Sequence, residues 1–337
     1  MKILVVNTVY RAGSTGRIAI AAAVSESSSL DEIRYAFGRN EYVPALWRKE
    51  AYKIGSEIEV KCHAILSRLF DLHGSSICSY FATKQFLKWA DEYDPDLLWL
   101  HNLHGYYLNF ELLFKWIKSR PQMKVKWMLH DCWAFTGHCS HYTRTGCERY
   151  KTLCFDCQQR HDYPKSLFIS NARRNYEAKK RAFLGVKNLT LVIPSDWLAA
   201  QVRSGFLKDY PIEMRRHSID RTVFKHTESN FRARHGLGGK KMILCVASQW
   251  DNAKGFPDVL KLASIVSDDW RIVMVGLEQR QIGRLPSNII GFKRTNSTRE
   301  LAEIYSATDW FFNPTHEDIY SMTNMEAAAC GARIVSY

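Results

Sequence analysis

The sequence predicts an α/β protein made of two parallel-sheet domains. Three observations predict it. Short apolar runs such as Ile3–Val6, Leu97–Leu100, Met242–Ala247 and Trp310–Phe312 are each followed by a Gly- or polar-rich loop, and several by a helical pattern. The 337 residues exceed one typical domain and suit two. The closing stretch, Ala307 to Tyr337, reads as strand, loop, helix and strand, the unit from which such sheets are built.

Taken in order, Lys2–Asn7 is a first strand, followed by a loop at Gly13-Ser14-Thr15-Gly16-Arg17 and a helical run from Ile18 to Val24. A glycine loop between strand and helix lets backbone approach a phosphate closely, although an ordinary βα turn has the same pattern. Ile33–Phe37 suits a strand. Segments 56–72 and 80–93 read as amphipathic helices, the first with Ile58, Cys62, Ile65, Leu66 and Leu69 at helical spacing. Pro95–Leu100 is a buried strand opening onto His101-Asn102-Leu103-His104-Gly105, and Lys124–Leu129 is another, running into His130-Asp131-Cys132-Trp133. The carboxyl ends of parallel strands are where α/β folds hold ligands. His130 is therefore a candidate for the reaction centre, with His101 and His104 weaker candidates.

Cys139, Cys147, Cys154 and Cys157 fall within nineteen positions and close with Cys-x-x-Cys, the inventory of a structural tetrahedral Zn²⁺ site. His138, His141 and Cys132 compete as ligands, and free thiols or a redox pair are the alternative. Residues 165–187 form a basic helical stretch with Arg173, Arg174, Lys179, Lys180 and Arg181, interleaved with Phe168, Ile169, Tyr176 and Phe183, the composition of a membrane-surface face or of a solvated helix. Leu189–Ile193 is a strand, and Ser195 caps the helix that follows.

The domain boundary is placed near residue 218, giving domains 1–218, with a Cys-rich insert at 132–157, and 219–337. The second begins with strand Met242–Ala247 and the loop Ser248 to Gly255. Strands at Arg271–Gly276 and Asn288–Phe292 and a helix at Leu301–Ala307 lead into the closing unit. There Ser321 or Thr323 caps a helix of strong formers, Met325 to Ala329, which Gly331 ends. The N-terminus of that helix offers N–H groups and a positive dipole end to a phosphate. Asp318 lies in the loop before it and Glu326 one turn inside it, eight positions apart. A carboxylate beyond a phosphate site can accept hydrogen bonds from ribose.

Apolar content is 46% and charged content 24%, as in ordinary globular proteins. No apolar run approaches a membrane span, and MKILVVN reads as a strand rather than a signal peptide, so a cytosolic location is expected, with reduced or metal-bound cysteines. The net charge is +13, of which residues 1–218 carry +11 and residues 219–337 carry +2. The basic half suits an anionic lipid surface, a pyrophosphate-linked substrate or nucleic acid. Nucleic acid is disfavoured, because no recognisable nucleic-acid module is present.

The stretch PTHEDIYSMTNMEAAACG resembles the E-x7-E region of retaining family-4 glycosyltransferases, which have the GT-B fold, and in particular a bacterial subgroup that builds capsule, colanic-acid-like and other surface polysaccharides. Asp318 stands in place of the first Glu, and Glu326 matches the second. The resemblance extends to the first glycine loop, the His130 strand, the His217-Ser218-Ile219-Asp220 linker and Lys254-Gly255. It departs where Ser248 replaces a diphosphate-gripping Arg, for which Arg17 or Arg294 could substitute.

The resemblance implies two Rossmann-like domains facing a cleft, the second incomplete at Tyr337. It implies metal-independent transfer of a sugar, with retention, from a nucleotide-diphosphate donor to a glycan on a polyprenyl lipid, and no catalytic cofactor. His130, Lys254 and Asp318 would serve the chemistry. Gly13, Gly16, Arg17, Ser248, Arg294, Met322, Thr323 and Glu326 would bind substrate. The protein would be cytoplasmic and peripheral to the membrane. A nucleotide-sugar epimerase or hydrolase on the same fold is the rival reading, and a nucleic-acid-binding protein a more distant one.

Overall fold

The computed structural model describes residues 1–11, 13–39, 43, 49–75 and 77–337. The chain separates into two compact units, Met1–Arg216 and His217–Tyr337.

The first unit holds a parallel sheet of β1 (Lys2–Asn7), β2 (Glu32–Phe37), β3 (Ala51–Lys53), β4 (Leu97–Leu100), β5 (Lys124–Met128), β6 (Leu189–Ile193) and β7 (Ile212–Met214), in the order β3-β2-β1-β4-β5-β6-β7. Its central strands are apolar throughout because helices cover both faces; β4, LLWL, is wholly buried. The helices are α1 (Gly13–Glu26), α2 (Glu57–Phe70), α3 (Tyr80–Tyr93), α4 (Phe110–Lys118), α5 (Ala172–Phe183) and α6 (Asp196–Arg203). Ser195 caps α6 as expected, its hydroxyl accepting from Leu198 N–H at 3.3 Å. The strand order reverses between β1 and β4, and this switch point opens a crevice at the carboxyl ends of the strands.

The second unit repeats the plan with five parallel strands, β8 (Lys241–Val246), β9 (Trp270–Val275), β10 (Ile289–Phe292), β11 (Trp310–Asn313) and β12 (Arg333–Ser336), ordered β10-β9-β8-β11-β12. Its helices are α7 (Phe231–Arg234), α8 (Phe256–Ile265), α9 (Gln279–Ile282), α10 (Thr298–Ser306) and α11 (Met322–Ala329). The switch point lies between β8 and β11. One core layer joins Leu244, Val273, Tyr305, Phe311 and Ala327.

Three expectations change. The glycine stretch at 13–17 is the first turn of α1, because Ser, Thr and Arg tolerate helix and Gly16 permits close approach of the preceding loop: a Cβ there would lie 2.8 Å from the Arg11 carbonyl carbon. The apolar stripe of α2 faces outward, with Ile58 and Ile65 at 73% and 52% exposure, while His63 and Ser67 face inward. That inner face is polar and satisfied: His63 Nδ1 meets Ser79 Oγ at 2.8 Å and its Nε2 accepts from Gly74 N–H at 3.0 Å. On α5, Tyr176 and Phe183 pack into the core, and Lys179 is fully buried. Its ammonium donates to the Trp133 and Thr136 carbonyls at 2.6 and 2.9 Å, and burial pushes its pKa down to about 7. The outer face keeps Arg173, Arg174, Lys180 and Arg181.

Candidate functional site

Each unit places candidate residues at its own switch point. In the first, β4 leads into His101 and β5, after Leu129, into His130. The two rings stack, centroids 5.3 Å apart, with His101 Nδ1 3.0 Å from His130 Nε2, so one proton is shared between them. The His101 carbonyl accepts from the Trp127 indole at 3.0 Å. Further along the two loops, His104 Nε2 meets Asp131 Oδ2 at 2.7 Å, and His104 Nδ1 meets the Tyr163 hydroxyl at 3.1 Å. Burial disfavours ionisation of Asp131, but the His104 ring outweighs it, together with His141 and the Trp133 N–H, and its pKa falls to about 2. A small cavity between these pairs is lined by His101, His104, His130, Asp131 and Trp133. The Thr8 hydroxyl, from the end of β1, bridges the Asn102 and His104 carbonyls at 3.1 and 2.6 Å and fixes the loop. Sequence reasoning singled out His130 but assigned nothing to Asp131 or Tyr163; the histidine–aspartate step directly after β5 was the signal for Asp131. Gly13 and Arg17 are exposed at the start of α1, on the β1 side of the same crevice.

In the second unit, the loop after β8 carries Ser248, exposed, and Lys254, half-buried, whose N–H donates to Asp251 Oδ1 at 2.8 Å. Gly255 has φ +74°, and a Cβ there would lie 2.2 Å from the Pro314 carbonyl oxygen. The loop after β11 therefore packs directly onto the loop after β8. His316 N–H donates to the Ala253 carbonyl at 3.0 Å, and its Nε2 meets Asp258 Oδ2 at 2.8 Å. Asp318 is exposed on this second loop and accepts from Tyr320 N–H at 3.2 Å.

Ser321 caps α11, accepting from Asn324 N–H at 3.3 Å, and Asn313 at the end of β11 donates to both Ser321 Oγ and Asn324 Oδ1 at 3.0 and 2.8 Å. Strand end and helix start are thus locked together, and the first-turn N–H groups of Met322 and Thr323 lie at the switch point. Glu326, one turn in, is 4% exposed, with Oε2 3.3 Å from the Tyr305 hydroxyl. His217, read from sequence only as a linker residue, packs edge-on against Tyr320 at 5.4 Å, and burial lowers its pKa to about 4 against the pull of Asp318. Arg294 follows the edge strand β10, two strands from the switch point. Arg17 belongs to the other unit.

The four cysteines of the insert lie near one another: Cys139 interacts with Cys157, Cys154 and Cys132, and Cys154 with Cys147 and Cys157. The insert is also organised by aromatic packing: Tyr142 and Tyr150 stack at 4.6 Å, and both hydroxyls donate to Gln201 Oε1 at 2.8 Å. Cys139 and Cys157 are a hydrogen-bonded pair, in which the Cys139 thiol holds Cys157 down to about 6 and is itself raised.

Residues 240–337 match the family model described as glycosyl transferases group 1. Within the chain, 93 residues are 33% identical to the putative colanic acid biosynthesis glycosyl transferase WcaC of Escherichia coli K12, covering 26% of this chain and 22% of that protein. The match thus spans less than a quarter of that relative's length. Sucrose-phosphate synthase from Thermosynechococcus elongatus superposes with a TM-score of 0.66 at 13% identity, over 99% of this chain and 80% of that one. Anabaena HepE, solved in complex with UDP-glucose, superposes at 0.61 and 13% identity, over 100% and 80%. At these identities the likeness is one of fold, and the fold is GT-B.

Proposed function

We propose that the protein is a retaining glycosyltransferase that moves a sugar from a nucleotide diphosphate to a growing surface polysaccharide on a lipid carrier. The observation that carries this reading is the switch point of the second unit. There a capped helix start, a lysine loop and a glycine that admits no side chain come together at strand ends. Backbone N–H groups of Met322 and Thr323, with the Lys254 ammonium, would stabilise charge on the departing diphosphate without a metal. Glu326 would accept hydrogen bonds from ribose, with Tyr305 steadying one carboxylate oxygen. Asp318 and His130 would hold the sugar ring. The acceptor hydroxyl would attack on the face the diphosphate leaves, a phosphate oxygen taking its proton. Anabaena HepE's complex with UDP-glucose supports the donor class, and the colanic-acid relative supports the product class.

A cytoplasmic, membrane-peripheral location accompanies this reading. Among the described residues no helix is long and apolar enough to cross a membrane. Support for surface binding is the exposed basic face of α5 with Leu167, Phe168 and Ile169 exposed just before it. Binding to anionic vesicles that salt reverses, with little binding to neutral ones, is expected; equal binding to both argues against it.

Thermal-shift screening against nucleotide sugars tests the donor site, since ligand at 100 times its Kd stabilises by about 2.7 kcal/mol. No shift with any nucleotide sugar or nucleotide diphosphate overturns the reading. The His104–Asp131 pair favours a second one, since an epimerase needs an acid and a base of this kind. Release of nucleotide diphosphate in water alone, without acceptor, would select it.

A further inference from the structure

The turn that ends α2 meets the cysteine-rich insert at a corner made by Asp71, His73 and His138. The three are 0, 4 and 0% exposed, and their ligand-type atoms lie within 4.8 Å of one another. A single carboxylate oxygen, Asp71 Oδ1, stands 2.5 Å from His73 Nε2 and 2.6 Å from His138 Nδ1. The rings meet edge to face, centroids 5.1 Å apart.

The surroundings hold this corner in place. Asp71 caps α2 in the left-handed conformation, φ +53°, its N–H closing on the Ser67 carbonyl at 2.9 Å. Its second carboxylate oxygen accepts from Asn171 N–H at 2.7 Å, and its carbonyl accepts from the Asn175 amide at 2.7 Å. Asp71 therefore has a settled contact for each of its polar atoms. His138 does not: its Nε2 is buried and has no hydrogen-bond partner among the described residues. The ring nitrogen that faces the carboxylate is Nδ1, so the corner gathers three ligand-type atoms, Asp71 Oδ1, His73 Nε2 and His138 Nδ1.

We propose that this corner binds one divalent transition-metal cation of the zinc class through Asp71, His73 and His138. Two imidazoles and one carboxylate suit such an ion, whereas Mg²⁺ and Ca²⁺ take oxygen ligands. Zinc–nitrogen and zinc–oxygen bonds of about 2.0–2.2 Å put neighbouring ligand atoms about 3.3 Å apart in a tetrahedron. The present 2.5 and 2.6 Å contacts would open by less than the width of an atom. His73 also lines a small cavity with His63, His104 and Tyr106. The ion's work is structural: it ties the end of α2 to an insert 67 residues further along the chain. This site stands apart from the proposed transfer reaction and uses no thiolate, although Cys157 lies near enough to interact with His138 and Asp71.

The test is elemental analysis of the full chain purified without chelator, where one zinc-class ion per molecule is expected. Asp71→Asn, His73→Gln and His138→Gln should each lose it, and Cys147→Ser should keep it. Retention in the first three, with loss in Cys139→Ser or Cys157→Ser, would mean a thiolate-held ion and overturn the proposal. Because buried substitutions can unfold a protein, the wild-type chain is also stripped with chelator and titrated with Co²⁺. Visible bands of a tetrahedral nitrogen–oxygen site at one equivalent support the corner. A dominant near-ultraviolet thiolate-to-cobalt band, or a folded stripped protein that binds neither Co²⁺ nor Zn²⁺, overturns it.

Discussion

The two switch points share one strand order and differ in what fills them. In the first unit the crevice is occupied by its own side chains: His101 on His130, His104 on Asp131, and Thr8 across two carbonyls. In the second it is made of backbone, with Gly255 under the Pro314 carbonyl and the capped start of α11. A crevice lined by paired titratable groups suits orientation of a substrate and proton handling. A crevice lined by N–H groups and a glycine suits a phosphate, which needs close approach and many donors. The same topology thus yields two chemistries, decided by which residues follow the strands.

The largest test of this contrast is on the glycines. Gly255→Ala forces a Cβ onto a carbonyl at a positive φ and should cost at least about 3 kcal/mol in urea unfolding. Gly13→Ala, also at positive φ but with nothing within 4 Å, should cost only about 1–2 kcal/mol. Equal costs would mean that the backbone of the second crevice is not close-packed.

Next comes ligand binding. Glu326→Ala should weaken nucleotide-diphosphate affinity by about 1.5–3 kcal/mol with the fold retained. Lys254→Ala should cost about 1 kcal/mol, since its ammonium is partly screened by water. His130→Ala should leave nucleotide-diphosphate affinity unchanged, because its partners lie in the first unit. Calorimetric titration separates the three.

A further effect, confined to the first unit, concerns acid. Asp131 ionises at about 2 in the folded chain against an ordinary 3.8. Its depressed pKa contributes stability that is complete above about pH 4 and is lost as pH falls toward 2, amounting to about 2 kcal/mol. Wild type should be more stable than Asp131→Asn above about pH 4, with the difference shrinking as pH falls toward 2, and in a His104→Ala background most of the difference should be gone. An unchanged acid limb in Asp131→Asn would show that the His104 pair stores no stability.

Much of this was legible locally. Apolar runs of four to six residues fixed the strands, and Ser195 and Ser321 announced helix starts that the structure bears out. Asp318 and Glu326 stood out by their spacing along a loop and a helix, which is a local property, whereas Lys254 stood out only through the family resemblance. The paired histidines were half visible: each follows a strand, yet only the adjacency of β4 and β5 brings His101 to His130.

By itself the sequence determined the alternation of strand and helix, the glycine and cap positions, and the charge imbalance between the halves. Only the tertiary structure decided that α2 turns its polar side inward, that Lys179 is buried while its neighbours are not, and that two stacked tyrosines pack inside the insert. It alone brought Asp71 and His138 to one corner. The physical reason is one of range. Backbone preference is set by neighbours in the chain, whereas burial of a polar group is settled by partners far away in it. A His or Lys whose hydrogen bonds are met by a distant segment carries no local mark of being inside.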